Sequence, residues 1–162
     1  MSVSLGSADP IAPLAERASE LARLQAMVAG VAAGEGSTLL VTGEAGIGKT
    51  TLLDAAAATA REHGVATARC CGTPLEAGFS WGAARDLLEP LLAALDPAGR
   101  DAAFAGAAAL ARAPLESTLP AVDDTGARAH GLYWLLAGLA EWRPLLVLAD
   151  DAHWIDEPSL TW

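Results

Sequence analysis

The sequence predicts an α/β fold, a parallel sheet flanked by helices, and three observations point to it. Residues 38–42 (Thr-Leu-Leu-Val-Thr) and 145–149 (Leu-Leu-Val-Leu-Ala) are short apolar runs, the pattern of strands buried on both faces. A glycine-rich turn and a helical stretch follow the first run, and a second strand-like segment follows them, which makes a strand–helix–strand unit. The chain has 162 residues, the length of one domain.

Residues 1–13 are small, polar and proline-containing and read as a flexible arm; residues 14–162 form the body. Leu14, Leu21, Leu24, Val28 and Val31 recur at helical spacing, with Arg17 or Ser19 near the helix start and Gly34 and Gly36 at its end. After the strand at 38–42 and its turn, a helix is expected from Lys49 to His63, stopped by Gly64, and a strand at 65–70. Residues 81–95 read as a helix with Leu87, Leu88, Leu91, Leu92 and Leu95 on one face; Pro90 interrupts it and starts a new turn. Asp96-Pro97 opens an alanine-rich helix running to about Ala113, and 114–126 read as a loop. Residues 127–142 are helical, with Leu132, Leu135, Leu136 and Leu139 as the core stripe. The apolar strand at 145–149 ends in Asp150-Asp151. Asp156 then caps a helix that carries Pro158 in its first turn.

Apolar residues make up 52% of the chain but aromatics only 5%, so much of the apolar content is alanine, which favours helix and contributes little buried area. The net charge of −10 argues against a duplex-binding surface and against direct nucleic-acid contact by this segment. Cys70 and Cys71 are adjacent, with no metal-type spacing, and read as small residues at a strand end. There is no basic, apolar leader at the N-terminus, and no apolar run approaches the ~18 residues a membrane span needs. A soluble, cytoplasmic protein without membrane contact is the expectation.

The turn after the first strand reads Gly43-Glu44-Ala45-Gly46-Ile47-Gly48-Lys49-Thr50, followed by Thr51. This is the G-x-x-x-x-G-K-[ST] pattern of a phosphate-binding loop. Its glycines let backbone N–H groups converge on phosphate oxygens without Cβ clashes, and the following helix points its partial positive charge at the same anion. Lys49 would reach the β- and γ-phosphates, and the Thr50 hydroxyl would ligate Mg²⁺. Lys49 is the only lysine among ten basic residues, kept where a compact ammonium is wanted. The alternative is a glycine-rich strand–helix turn without a ligand. With this loop the α/β fold becomes one of P-loop NTPase type, with ATP and Mg²⁺ as the expected cofactors.

The strand at 145–149 delivers the matching acid. Asp150 would be the magnesium carboxylate and Asp151 would orient the attacking water, which makes Asp151 and Lys49 the candidate catalytic pair. Adjacent carboxylates repel, and a divalent cation relieves that repulsion. The alternative is a loop-end or helix-capping acid pair. His153 could touch a phosphate, although a hydrogen-bonded structural histidine is the plainer reading. Trp142 and Trp154 read as packing residues, and Glu76 sits where a polar site residue could lie.

Three stretches together resemble the ATPase domain of the STAND class. More narrowly they are similar to the origin-recognition-like AAA module of large ATP-binding LuxR-type transcriptional regulators. Leu14-Ala15-Glu16-Arg17-Ala18-Ser19-Glu20-Leu21 is similar to that family's opening L-x-G-R-x-x-E-L, with Glu16 in place of the usual glycine. Val-Thr-Gly-Glu-Ala-Gly-Ile-Gly-Lys at 41–49 and Pro-Leu-Leu-Val-Leu-Ala-Asp-Asp-Ala-His-Trp-Ile-Asp at 144–156 carry the rest.

The resemblance implies that Arg17 lies near the adenine, and that Asp151, where more active ATPases carry Glu, goes with slow hydrolysis suited to a switch. It also implies a further strand with a polar sensor residue, inserted between the loop strand and the Asp150 strand. A lid, helical repeats and a DNA-binding helix-turn-helix would follow. On that pattern the fold here is incomplete at the C-terminus and the chain is a fragment with exposed apolar strand edges, an ATPase once those elements are supplied. Its partners would be ATP and ADP, the lid and repeat domains of the same protein, or a signalling partner. Two other readings stay open: a degenerate module acting only in protein interaction, and a different P-loop phosphotransferase.

Overall fold

The computed structural model describes residues 2–4, 17–75, 77–116 and 124–162. The chain divides into two compact units: residues 1–67 with 144–146, and residues 68–143 with 147–162.

The first unit holds β1 (Ser2–Ser4), α1 (Ala18–Ala32), β2 (Leu40–Thr42) and α2 (Lys49–Glu62). Ser2–Ser4, assigned to the arm by composition, form a strand parallel to β2, with Ser2 opposite Leu40 and Ser4 opposite Thr42. α1 has Arg17 at its N-cap and ends as expected, with Gly34 in the left-handed conformation at φ 87°. It packs on α2, burying Leu24 and Val28 on one side and Leu52, Ala56 and Ala60 on the other. α2 runs from the lysine to a stop at Gly64 with φ 70°, as the sequence predicts.

β2 is shorter than expected and is not buried on both faces, for Leu40 is 55% exposed. Continuous apolarity earns double burial only in a strand flanked by neighbours and covered by helices on both sides. Among the described residues β2 ladders with β1 alone.

β3 (Ala66–Cys71) pairs with β4 (Leu145–Asp150) in a separate two-stranded sheet. The bonds Ala66 N–H to Pro144 C=O and Gly72 N–H to Asp150 C=O advance equally along both segments, so the strands run parallel. β4 alternates rather than being buried throughout: Leu146, Leu148 and Asp150 face inward, while Val147 is 40% exposed. The inward set places the terminal aspartate on the core face, in step with the two leucines.

The second unit is mainly helical, with α3 (Gly82–Ala93), α4 (Pro97–Ala103), a 3-10 turn (Gly106–Ala111), α5 (Arg112–Glu116), α6 (Thr125–Trp142), a 3-10 turn (Ala152–Trp154) and α7 (Glu157–Thr161). Pro90 lies inside α3 instead of dividing it. The buried Leu87, Leu88 and Leu92 anchor both halves of the helix to one core. The alanine-rich helix predicted to Ala113 stops at Ala103, because Gly106 takes φ 60° and turns the chain. α5 then covers part of the stretch expected to be loop; residues 117–123 lie outside the described residues.

α6 lies against the 3-10 turn so closely that a Cβ on Gly131 would stand 2.6 Å from the Ala111 nitrogen. The Arg112 guanidinium sits 4.3 Å over the Phe104 ring and 3.3 Å from Asp101, and Arg85 Nε donates to the Pro114 carbonyl at 2.7 Å, so α3, α4 and α5 are tied by arginines. No described helix is long and apolar enough to cross a membrane.

Candidate functional site

The loop between β2 and α2 carries the geometry its glycines allow. Gly46 and Gly48 take φ 79° and 93°, the left-handed region, where a side chain would be strained. Among the described residues nothing lies within 4 Å of the position a Cβ on Gly46 would take. Gly48 stands at the N-cap of α2 and supplies no side-chain cap, leaving the first-turn N–H groups of a 14-residue helix without a side-chain acceptor. That end attracts anions. Lys49 folds back over the loop: its ammonium donates to the carbonyls of Gly43 at 3.0 Å and Glu44 at 2.9 Å. Thr50 and Thr51 are exposed on the first turn, and Ile47 is buried and anchors the loop.

Arg17 joins this group. It is only 7% exposed, Nη2 donates to the Ile47 carbonyl, and Nη1 has no hydrogen-bond partner among the described residues. A buried guanidinium nitrogen without an acceptor is costly. The structure thus brings together Arg17 and the loop residues 43–51.

Asp150 and Asp151 belong to the second unit. Asp150 is buried at the end of β4. Its Oδ1 accepts the N–H of Asp151 at 3.1 Å and its Oδ2 meets Arg69 Nη2 at 3.2 Å. Asp151 is exposed and left-handed at φ 45°, a conformation Asp tolerates better than most residues. The turn is fixed by Gly72, where a Cβ would fall 2.5 Å from the Asp151 carbonyl oxygen and 2.8 Å from the Ile155 nitrogen.

Asp156 closes the turn and does more than cap α7. Its Oδ1 accepts from Ser159 N at 3.0 Å and Trp81 N at 2.8 Å, and Oδ2 accepts from Ala83 N at 3.2 Å, so one buried carboxylate serves the N-termini of α7 and α3. This holds Trp81, buried to 2%, at φ 67°, an unusual conformation for so bulky a residue.

A match to the family model described as the AAA ATPase domain covers residues 13–162. The chain belongs to this family. Neither the search of curated proteins nor that of solved structures gave a match. As an AAA domain the chain has a P-loop NTPase fold and the equipment of a nucleotide-binding protein.

Taken unit by unit, the groups present are of the kind a magnesium nucleotide takes: the first offers a helix end without a side-chain cap and the Thr50 hydroxyl, and the second offers the Asp150 carboxylate. Among the described residues no group of three or more His, Cys, Asp or Glu could hold a metal, and a magnesium that keeps several waters needs no such group.

Several expectations change. Trp142 and Trp154 are 51% and 41% exposed and are not core residues, and His153 is exposed with its ring 5.1 Å from that of Trp154. Both tryptophans sit at element ends. Cys70 is buried and Cys71 exposed, in keeping with alternation along β3. Burial pushes the Cys70 thiol up to about 11. Glu76 lies outside the described residues. Arg69 and the second role of Asp156 had no sequence signal, since their partners are 81 and 75 residues away.

Proposed function

We propose that this AAA domain binds Mg-ATP and hydrolyses it slowly, as the nucleotide-switch module of a bacterial signalling or transcription regulator of the LuxR type. The observation that carries the reading is the loop, where left-handed Gly46 and Gly48 expose the backbone beside an uncapped helix end under the Lys49 ammonium. In this reading Lys49 exchanges its loop carbonyls for the β- and γ-phosphates, and the N–H groups of the first turn of α2 receive phosphate oxygens. Thr50 and Asp150 are assigned to magnesium, which when bound neutralises charge on the phosphates. Asp151 holds and polarises the attacking water. Arg17 steadies the loop through Ile47 and lies on the adenine side. ATP against ADP would change how the domain meets a lid, repeats or a signalling partner.

Titration of the chain with Mg-ATP, followed by the fluorescence of its five tryptophans, tests this. A saturable change is expected, weakened by roughly tenfold or more in Lys49→Ala, which removes a charge-assisted phosphate contact. Turnover is expected below about 10 per second, the general enzyme median. No saturable response in the wild-type chain would sink the reading.

A further inference from the structure

Asp150 does not stand alone at the end of β4. Its side chain is 7% exposed, and an isolated carboxylate at that depth would be strongly disfavoured. Arg69, on the neighbouring strand β3, supplies the countercharge to Oδ2, while the Asp151 N–H occupies Oδ1. The Arg69–Asp150 contact, at 3.2 Å, is longer than the ~2.8 Å of a tight charge-assisted pair. The Arg69 side chain is 35% exposed, so water reaches the pair from one side and weakens it. Arg69 also borders a groove of about 480 Å³ along which Asp86 and Glu89 lie. A guanidinium that leaves Asp150 therefore remains among carboxylates and solvent rather than stranded in apolar surroundings.

We propose that Arg69 is the resident counter-cation of Asp150, a positioning residue that holds the carboxylate ready and gives way to a divalent cation. The inference rests on the assignment of Asp150 to magnesium above. Arg69 and a divalent cation would be drawn to the same carboxylate, so Arg69 competes for Asp150 and raises the magnesium concentration needed to load the site. Arg69 is not among the loop residues 43–51 assigned to the nucleotide.

The test is the magnesium concentration giving half of the tryptophan response at saturating ATP, for the wild-type chain, Arg69→Gln and Arg69→Lys, with circular dichroism reporting the fold. Removing a competing charge of this exposure is expected to lower the midpoint roughly threefold to tenfold in Arg69→Gln. Arg69→Lys, which keeps the charge, stays within about twofold of wild type. ATP binding with chelator present is unchanged in both. Equal midpoints in all three proteins, or a higher midpoint in Arg69→Gln, overturn the inference while leaving the Mg-ATP reading in place. Loss of the folded signal in both variants assigns Arg69 to structure and overturns it too. A wild-type chain that gives no response to ATP overturns the parent reading and this one with it.

Discussion

At the scale of single residues, Asp156 shows how much one carboxylate can organise. Three backbone N–H groups, from Trp81, Ala83 and Ser159, donate to it in a buried setting. Asp156→Ala strands them, and the expected loss is about 2–4 kcal/mol in urea unfolding, the sum of a lost cap and unpaired donors. Asp156→Asn retains an oxygen acceptor but turns an amide donor toward a donor, so it is expected to fall between. Gly72 is the other single-atom constraint. The atoms a Cβ would strike belong to backbone, which cannot move aside as a flexible side chain can. Gly72→Ala is expected to cost about 3 kcal/mol, read the same way. The α7 cap was legible in the sequence, but the bonds from Trp81 and Ala83 and the demand on Gly72 were not, because they arise from segments far apart in the chain. The left-handed turns at Gly46 and Gly48 and the helix start at Lys49 were legible, because they are local structure whose residue types follow from backbone conformation.

At the scale of elements, the helices with clean punctuation match their prediction: α2 begins at Lys49 and stops at Gly64, and α7 starts at the Asp156 cap. α3 shows where local punctuation loses. Pro90 has no N–H to give and favours a break, yet leucines on both sides of it are buried in one core and keep the helix continuous. Pro90 is exposed, so Pro90→Ala restores a helix hydrogen bond without disturbing packing. It is expected to stabilise the chain by about 1 kcal/mol or more in urea unfolding. The alanine-rich stretch after Pro97 shows the reverse. Helix propensity is uniform there, but the left-handed turn at Gly106 reorients the chain so that the following turn packs against Gly131 of α6.

At the scale of the whole molecule, the buried thiol of Cys70 makes stability depend on alkaline pH. Its folded pKa, raised by burial from 9.0 to about 11, means the folded chain holds the proton more tightly than the unfolded one. The contribution is complete below pH 9 and declines as pH rises toward 11. The wild-type chain is therefore expected to lose stability of order 2 kcal/mol across that window, and Cys70→Ala to lose less, by urea unfolding at several pH values. At neutral pH a thiol reagent should label exposed Cys71 well before Cys70.

The sequence by itself determined the glycine-rich loop, the helix that follows it, the positions of the strands and the acids at the end of β4. Each of these is set by neighbours along the chain, through backbone conformation, propensity and apolar periodicity. Only the tertiary structure decided that Arg69 faces Asp150, that Asp156 caps two helices, and that Leu40 and Val147 are left exposed. The reason is that a buried charge demands a partner and an apolar strand demands a cover, but which distant residue supplies either depends on how the elements pack.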